Sequence, residues 1–366
     1  MIRWREGFVS ELGRSWAGAQ ELAVIVGTQA LRALAYPEVV GSPAVGDRVL
    51  LNVGALDRGL GTGGYALVVA IPDRLPKDPP ENGHLVKARY TPLQAMVLGA
   101  DEQGSPDHDV LRDADDLLGT PVVVADLHSA LPAVLAGVFE ARPNTRVVYV
   151  MTDGGALPLA FSRTVAALRD AGWLGGTVTV GQAYGGDREA VTVHTGLLTA
   201  VHVLAAEIVV VTQGPGNLGT GTRWGFSGVQ SGEAVNAIAT LGGRAVASLR
   251  ISEADPRPRH RGISHHSLTS YGRVALQSAD VVVPDLDGDF GDLVRDAAEP
   301  LKARHRVVRV GVDGLYDAMQ AAPVKVSTMG RDLDGDRAYF EAAAAAGRHA
   351  AGLVDVPPPG SGSQYS

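Results

Sequence analysis

The sequence predicts an α/β protein, in which a mostly parallel, doubly wound (Rossmann-like) sheet follows a small N-terminal antiparallel β barrel or sandwich. Three observations support this prediction. Short strands broken by turns fill the first part of the chain, and apolar strands alternate with helical stretches in the rest. The proline- and charge-rich segment DRLPKDPPENG, residues 73–83, separates the two patterns. Because 366 residues exceed the usual size of one hydrophobic core, two domains are expected.

The N-terminal part contains four short apolar runs with glycine and proline between them: ELAVIVG, QALRALAYP, GDRVLLNVG and GYALVVAIP. Strands of this length, separated by turn residues, are typical of small antiparallel barrels and sandwiches. We therefore predict a small β-rich domain over residues 1–83.

Beyond that segment, strands and helices alternate. The apolar strands are PVVVADL, TRVVYVMTD, GTVTVGQAY, EIVVVTQ, RAVASLRIS, DVVVPDL and HRVVRVGV, with helical stretches such as LPAVLAGVFEA between them. Strands that are apolar throughout indicate a parallel sheet covered by helices on both faces. The predicted Rossmann-like domain spans residues 84–356 and ends in the alanine-rich helix DRAYFEAAAAAGRHAAGLV. The last residues, 357–366, are predicted to be a disordered tail.

Composition excludes several classes of protein. The chain has no cysteine, which excludes disulfides, thiol nucleophiles and cysteine metal sites. A net charge of -8 disfavours nucleic-acid binding. The start MIRWREGFVSELG lacks the features of a signal peptide, and the most hydrophobic window, residues 197–211, is interrupted by His202 and Glu207. We expect a cytoplasmic protein without a membrane partner. The sequence leaves open whether the protein forms a homo-oligomer.

The segment VVVTQGPGNLGTGTRWGFSG, residues 209–228, runs from a strand into a loop rich in glycine and polar side chains. Ligands of parallel sheets bind at the carboxyl ends of the strands, and glycines there let an anion approach backbone N–H groups closely. The predicted anion-binding residues in this loop are Gly214, Gly216, Asn217, Gly219, Thr220, Gly221 and Thr222.

The spacing of the residues argues against two other interpretations of this segment. The string GPGNLG matches the dinucleotide fingerprint, but the residues TGTRWGFSG still precede the next helix, whereas the fingerprint needs a helix that begins at the loop. A nucleotide P-loop needs a lysine where Thr222 stands. A long structural connection whose glycines only avoid clashes remains the alternative.

The next strand ends in RISEADPRPRHRGISHHS, residues 250–267, which concentrates arginine and histidine in an acidic chain. If neighbouring strand ends converge, these cations face the glycine-containing loop and would neutralise an anion. The predicted neutralising residues are Arg257, Arg259 and Arg261. His260, His265 or Asp153 is predicted to transfer the proton. The alternative is a solvated basic loop, and the adjacent His265 and His266 are expected to point in different directions.

Two further polar side chains lie at the end of the strand PVVVADL or directly after it. Asp126 and His128 have the types of side chain that bind a divalent metal, although capping of the next helix explains Asp126 as well. The sequence therefore leaves the cofactor unknown, with a divalent metal at Asp126 and His128 as a candidate.

Three strings taken together, YVMTDGGALPLAFS, GPGNLGTGTRWGFSG and RHRGISHHS, resemble a family of bacterial proteins known only as a domain of unknown function. The resemblance covers most of the chain. It implies no activity, cofactor or catalytic residue, so any function must be argued from the residues themselves.

Two functional hypotheses follow. In the first, the protein binds a phosphorylated or carboxylated small molecule at the strand ends and acts on it as a transferase or hydrolase. In the second, it is a non-catalytic ligand sensor or scaffold, and the histidines can be replaced without chemical consequence. Whether it is an enzyme stays open.

Overall fold

The structure is a computed structural model that describes residues 2–80, 83–155 and 157–355. The predicted tail, 357–366, lies outside the described residues. The chain divides into two compact units. One comprises the described residues of Met1–Asn82 with Ala88–Met96, and the other those of Gly83–Lys87 with Val97–Ser366.

The first unit is a closed five-stranded barrel, which confirms the predicted small β fold. Its strands are β1 (Trp4–Trp16), β2 (Ala19–Val26), β3 (Gln29–Ala35), β4 (Arg48–Asn52) and β5 (Ala66–Ala70), with a short helix α1 (Pro37–Val40) before β4. The strand order is β1-β2-β3-β5-β4. All neighbours are antiparallel except β3 and β5, which run parallel. Closure leaves the barrel without a free strand edge. Two short strands, β6 (Leu85–Lys87) and β7 (Ala95–Val97), come next in the sequence.

The second unit contains an eight-stranded parallel sheet, as predicted. Its strands are β8 (Pro121–Val124), β9 (Val147–Thr152), β10 (Gly176–Thr179), β11 (Arg188–Glu189), β12 (Ile208–Gln213), β13 (Arg244–Ser248), β16 (Asp280–Asp285) and β17 (Arg306–Gly311). Their order is β11-β10-β9-β12-β8-β13-β16-β17, and every neighbouring pair is parallel. Two short strands, β14 (Ile251–Ser252) and β15 (Gly262–Ile263), pair antiparallel beside it.

Helices connect and cover the strands. They are α2 (His108–Leu111), α3 (Leu131–Ala141), α4 (Arg163–Asp170), α5 (Val193–Leu198), α6 (Gln230–Thr240), α7 (His265–Thr269), α8 (Gly288–Ala298), α9 (Leu315–Gln320) and α10 (Arg337–Ala351). Short 3-10 turns include His128–Ala130, Ser227–Val229 and Pro258–His260, and π-helical turns at Thr199–Val203 and Ser270–Val274 extend α5 and α7. Among the described residues, no helix is long and apolar enough to cross a membrane.

Two apolar cores lie on opposite faces of the sheet. Alternate residues of a strand point to opposite faces, and in β12 Val209 and Val211 join the core that includes α5 and α6, whereas Ile208 and Val210 join the core that includes α3 and α10. All six residues of β12 are buried. Strands covered on both faces have to be apolar throughout, which is why the sequence shows continuous apolar runs.

Helices α3 and α10 cross at two glycines. A Cβ built on Gly137 would overlap the carbonyl oxygen of Ala344, and a Cβ on Gly347 would overlap the carbonyl oxygen of Val134. The two backbones therefore touch directly, and only glycine leaves room for this crossing.

We expect Gly347→Ala to destabilise the second unit by about 1–3 kcal/mol, because the added methyl group forces two packed helices apart. The corresponding fall in melting temperature is roughly 2 to 12 °C, measured by calorimetry. Gly104→Ala is the matched control, since Gly104 is exposed and a Cβ there meets nothing within 4 Å. Equal melting temperatures for the two variants would contradict the close crossing.

Candidate functional site

The candidate site lies where three neighbouring strands of the parallel sheet end. β12 and β13 flank β8, so the segments that follow these strands lie side by side. They are residues 125–130, the loop of residues 214–228 (loop 214–228) and the loop of residues 250–267 (loop 250–267). Residues from all three segments, together with residues 327–329, line a pocket of about 310 Å³.

Loop 214–228 is attached to the end of β8 through one side chain, Asn217. Its Oδ1 accepts hydrogen bonds from Gln213 Nε2 and from the Gly228 backbone N–H, both at 2.6 Å. Its Nδ2 donates to Asp126 Oδ2 at 3.1 Å. Asn217 therefore holds the beginning and the end of the loop together and ties both to the neighbouring strand.

Four of the seven predicted residues of this loop line the pocket: Gly216, Asn217, Gly219 and Gly221. Gly214, Thr220 and Thr222 are not among the lining residues. The hydroxyls of Thr220 and Thr222 lie 3.2 Å apart, and Thr222 Oγ1 accepts a hydrogen bond from the Gly225 N–H at 3.1 Å. In this structure both threonines stabilise the loop itself.

Loop 250–267 brings arginine side chains to the same pocket. Its base is held by the antiparallel pairing of β14 with β15. Of the three arginines predicted to neutralise an anion, Arg257 and Arg259 line the pocket, whereas Arg261 does not. Arg250, the residue that precedes β14, is buried and lines the pocket as well.

A buried carboxylate, Asp255, orients two of these arginines. Arg257 donates to both oxygens of Asp255, from Nε at 2.9 Å and from Nη2 at 2.7 Å. Arg250 Nη2 lies 3.4 Å from the same carboxylate. The hydrogen bonds from Arg257 hold the pKa of Asp255 well below its usual range, so this carboxylate is ionised. Arg259 is exposed and makes no ion pair with any described residue.

Three histidines cluster beside the arginines. The ring centroids of His260 and His265 are 5.0 Å apart, those of His260 and His266 are 4.9 Å apart, and those of His265 and His266 are 4.4 Å apart. His260 and His266 line the pocket, and His265 does not. Phe226 stacks on the His266 ring at 3.9 Å. The side chains of His265 and His266 were expected to point in different directions; their rings belong to one cluster, although only His266 lines the pocket.

Local capping positions this cluster. Ser264 is the N-cap of α7, and its Oγ accepts a hydrogen bond from the His266 N–H at 3.2 Å. The same Oγ is hydrogen-bonded to His260 Nδ1 at 2.8 Å. One buried serine therefore fixes the start of α7 and the orientation of the His260 ring.

Burial and neighbouring positive charges keep the imidazoles of His260 and His265 neutral. Burial first, and then Arg250 and Arg257, lower the pKa of His260 to about 3. Burial and the neighbouring His266 lower the pKa of His265 to about 4. A neutral imidazole has a nitrogen lone pair that can accept a proton or bind a metal ion.

The predicted metal residues occupy different surroundings. Asp126 is buried, and its Oδ2 lies 3.7 Å from His266 Nδ1. Burial by itself raises the pKa of Asp126, but interactions with His266 and Arg250 outweigh it and lower that pKa. Both ring nitrogens of His128 are hydrogen-bonded, Nδ1 to the Tyr149 hydroxyl at 3.1 Å and Nε2 to Ser162 Oγ at 2.7 Å. Burial lowers the pKa of His128 to about 4.

Asp153, a predicted proton-transfer residue, follows β9 and is not among the lining residues of the pocket. Its Oδ2 accepts a hydrogen bond from the Gln182 N–H at 2.9 Å, and its backbone carbonyl accepts one from Gln230 Nε2 at 3.1 Å. These contacts connect the loops after β9 and β10 with the start of α6.

Eight lining residues were not predicted: Leu127, Ser129, Pro215, Arg250, His266, Ser327, Thr328 and Met329. Arg250 stands directly after the strand RAVASL, so its position at a strand end was a usable signal. Ser129 Oγ is hydrogen-bonded to Thr328 Oγ1 at 3.1 Å and to the Tyr339 hydroxyl at 2.8 Å. No sequence pattern connects Ser129 with residues about 200 positions away, and only the packing of the chain brings them together.

The comparison with curated proteins finds no match. A family model described as "Protein of unknown function (DUF3866)" matches residues 32–347. The matched residues include all three segments that line the pocket. The match confirms the resemblance to a domain of unknown function seen in the sequence. Because it covers most of the chain, the protein belongs to the DUF3866 family.

Proposed function

We propose that the protein binds a small phosphorylated or carboxylated molecule in the pocket at the strand ends and acts on it as a hydrolase or transferase. The observation that supports this proposal is the sign of the lining charges. Among the described residues that line the pocket, the charged side chains are those of Arg250, Arg257 and Arg259, and none is a carboxylate. An anion is the complementary ligand.

The charges around the pocket do not cancel. Arg331 Nη2 lies 2.9 Å from Asp336 and 3.8 Å from Asp255. Counting Arg331 with the three lining arginines gives four guanidinium groups, against the carboxylates of Asp255, Asp336 and Asp126. One positive charge is left, and the exposed Arg259 carries it without an ion pair to any described residue. A guanidinium without a partner is suited to bind a phosphate or carboxylate through paired hydrogen bonds.

The backbone of loop 214–228 provides the opposite wall. Gly216, Gly219 and Gly221 line the pocket, and a Cβ on Gly216 meets nothing within 4 Å. Glycines leave the backbone N–H groups open to a ligand. The chemistry would come from the imidazole of His260, which lines the pocket, with His265 beside it at 5.0 Å between ring centroids. A neutral imidazole can accept a hydrogen bond from the ligand or bind a metal ion.

We expect inorganic phosphate, a sugar phosphate, a nucleotide or a dicarboxylate to raise the melting temperature of the protein, and Arg259→Ala to weaken that ligand by about tenfold to hundredfold. One charge-assisted hydrogen bond contributes about 1.5–3 kcal/mol. The screen is a thermal-shift measurement, followed by titration calorimetry of the ligand that gives the largest shift. A ligand at 100 times its Kd stabilises the folded state by about 2.7 kcal/mol.

Arg261→Ala is the matched control, because Arg261 lies two positions away, is also exposed and does not line the pocket. Its Kd should stay within about twofold of the native value, since exposed charges outside a site contribute little. Equal losses in both variants would mean that only net charge matters and would overturn the pocket assignment. Binding without turnover of the ligand would favour the sensor hypothesis over the enzyme.

A further inference from the structure

We propose that His260, His265 and His266 form a binding site for one divalent transition-metal ion of the zinc class. Each imidazole offers a ring nitrogen, and the three ligand atoms lie within 4.8 Å of one another. Two nitrogens on one tetrahedral zinc ion are roughly 3.3 Å apart, given bonds of about 2.0–2.1 Å. The rings therefore need to converge by up to about 1.5 Å, which small side-chain rotations supply.

The hydrogen bonds of the cluster leave one nitrogen of each ring for an ion. His260 and His266 use Nδ1 toward Ser264 and toward the Asn217 and Asp126 side chains, respectively. His265 Nε2 is buried and has no hydrogen-bond partner among the described residues. A buried nitrogen without a partner costs about 1–3 kcal/mol, and a metal ion would satisfy it.

The cluster also has the contacts that hold ligand imidazoles in position. Metal-binding histidines usually have a hydrogen-bonding partner on the other ring nitrogen, often a carboxylate, that fixes the orientation of the ring. Ser264 Oγ is such a partner of His260, because it is hydrogen-bonded to Nδ1 at 2.8 Å. The Asp126 carboxylate lies 3.7 Å from His266 Nδ1.

The donor set selects the class of ion. Imidazole nitrogens suit zinc, cobalt, nickel and copper, whereas magnesium and calcium prefer oxygen ligands. Three histidines leave the fourth position of a tetrahedral ion open, as in catalytic zinc sites. Because His260 and His266 line the pocket, that position would face a bound anion or water.

Charged side chains near the three histidines have opposite effects on binding of the ion. Arg250 and Arg257 repel it, but both are paired with the ionised carboxylate of Asp255. The second carboxylate, Asp126, lies 3.7 Å from His266 Nδ1. These two carboxylates offset the two guanidinium groups.

The test uses the full-length protein, freed of metal with a chelator, and the metal alone as the probe. We expect one equivalent of Zn²⁺ to bind with a micromolar or lower Kd in titration calorimetry. One equivalent of Co²⁺ should produce the visible absorption of a four-coordinate ion, and Zn²⁺ should abolish it. His265→Ala should weaken Zn²⁺ by more than about 100-fold, because even the loss of a supporting partner costs 10- to 100-fold.

His194→Ala is the matched control, since His194 is exposed and is not part of the cluster. It should bind Zn²⁺ like the native protein. Asp126→Asn keeps an oxygen for the hydrogen bond from Asn217, and we expect a 10- to 100-fold loss of affinity with an altered Co²⁺ spectrum. The native protein provides a test even if a variant fails to fold, because absence of stoichiometric Zn²⁺ binding to it would overturn the site. Equal losses of Zn²⁺ affinity in His194→Ala and His265→Ala would overturn it as well. Since no anion is added, the result is independent of the anion-binding proposal.

Discussion

Gly216→Phe should abolish binding of the anionic ligand while the protein stays folded. Gly216 lines the pocket, and a Cβ built on it meets no atom within 4 Å, so the new side chain extends into open space. A phenyl ring there occupies part of a pocket of about 310 Å³ and covers the backbone of loop 214–228. We expect a loss of affinity on the order of 100-fold, equivalent to about 2.8 kcal/mol.

The measurement is titration calorimetry with the ligand that the thermal-shift screen identifies, and the melting temperature without ligand reports on the fold. Gly104→Phe is the matched control: Gly104 is also free of neighbours at its Cβ position, and it does not line the pocket. Undiminished binding in Gly216→Phe, with Gly104→Phe unchanged, would remove loop 214–228 from the binding site.

Lys87→Met should destabilise the second unit by about 3–5 kcal/mol, the largest effect on stability that we expect. Lys87 is fully buried, and its Nζ donates to the carbonyl oxygens of Thr179, Ala183 and Ala190 at 3.3, 3.0 and 2.8 Å. The same Nζ lies 3.4 Å from Glu189. Methionine fills the space but removes the Nζ donor from the Ala183 and Ala190 carbonyl oxygens and the counter-ion from the carboxylate, whereas the Thr179 oxygen still accepts from the Ala190 N–H.

The experiment is chemical or thermal unfolding of the variant, and the fall in melting temperature should be roughly 6 to 20 °C. Lys302→Met is the matched control, because the pair of Lys302 with Glu299 is exposed on both sides and should contribute less than about 0.5 kcal/mol. Lys87→Met with Glu189→Gln should recover part of the loss, since the unpaired buried charge is then removed. A native-like melting temperature for Lys87→Met would show that Lys87 is not needed to hold these loops together.

The buried pair also illustrates how burial acts on pKa. Burial lowers the pKa of Lys87 and raises the pKa of Glu189, while each charge partly offsets the effect on the other. In the sequence, Lys87 is one of the charged residues in the short run HLVKARY. Nothing in that run indicates burial, because its partners are 92 to 103 residues away.

The candidate site was predicted in part. Loop 214–228 and loop 250–267 were singled out because glycines and cations follow apolar strands, and both loops line the same pocket. Within them the individual side chains differ: Arg257 and Arg259 reach the pocket, whereas Arg261 and the two threonines do not. Spacing alone does not separate these residues: the turn at 258–260 redirects the chain between Arg257 and Arg261, and the two threonines are turned toward the loop's own hydrogen bonds.

By itself the sequence determined the architecture of this protein. Continuous apolar strands alternating with helices leave only a parallel sheet covered on both faces, and short strands with turn residues predicted a barrel or a sandwich, of which the structure shows the barrel. The tertiary structure alone decided the strand order, in which β8 lies between β12 and β13. That order brings Asn217 to Asp126 and gathers His260, His265 and His266 beside Arg250. The physical reason is that local patterns encode which face of an element is buried, whereas neighbours in a sheet are selected by the packing of the whole chain.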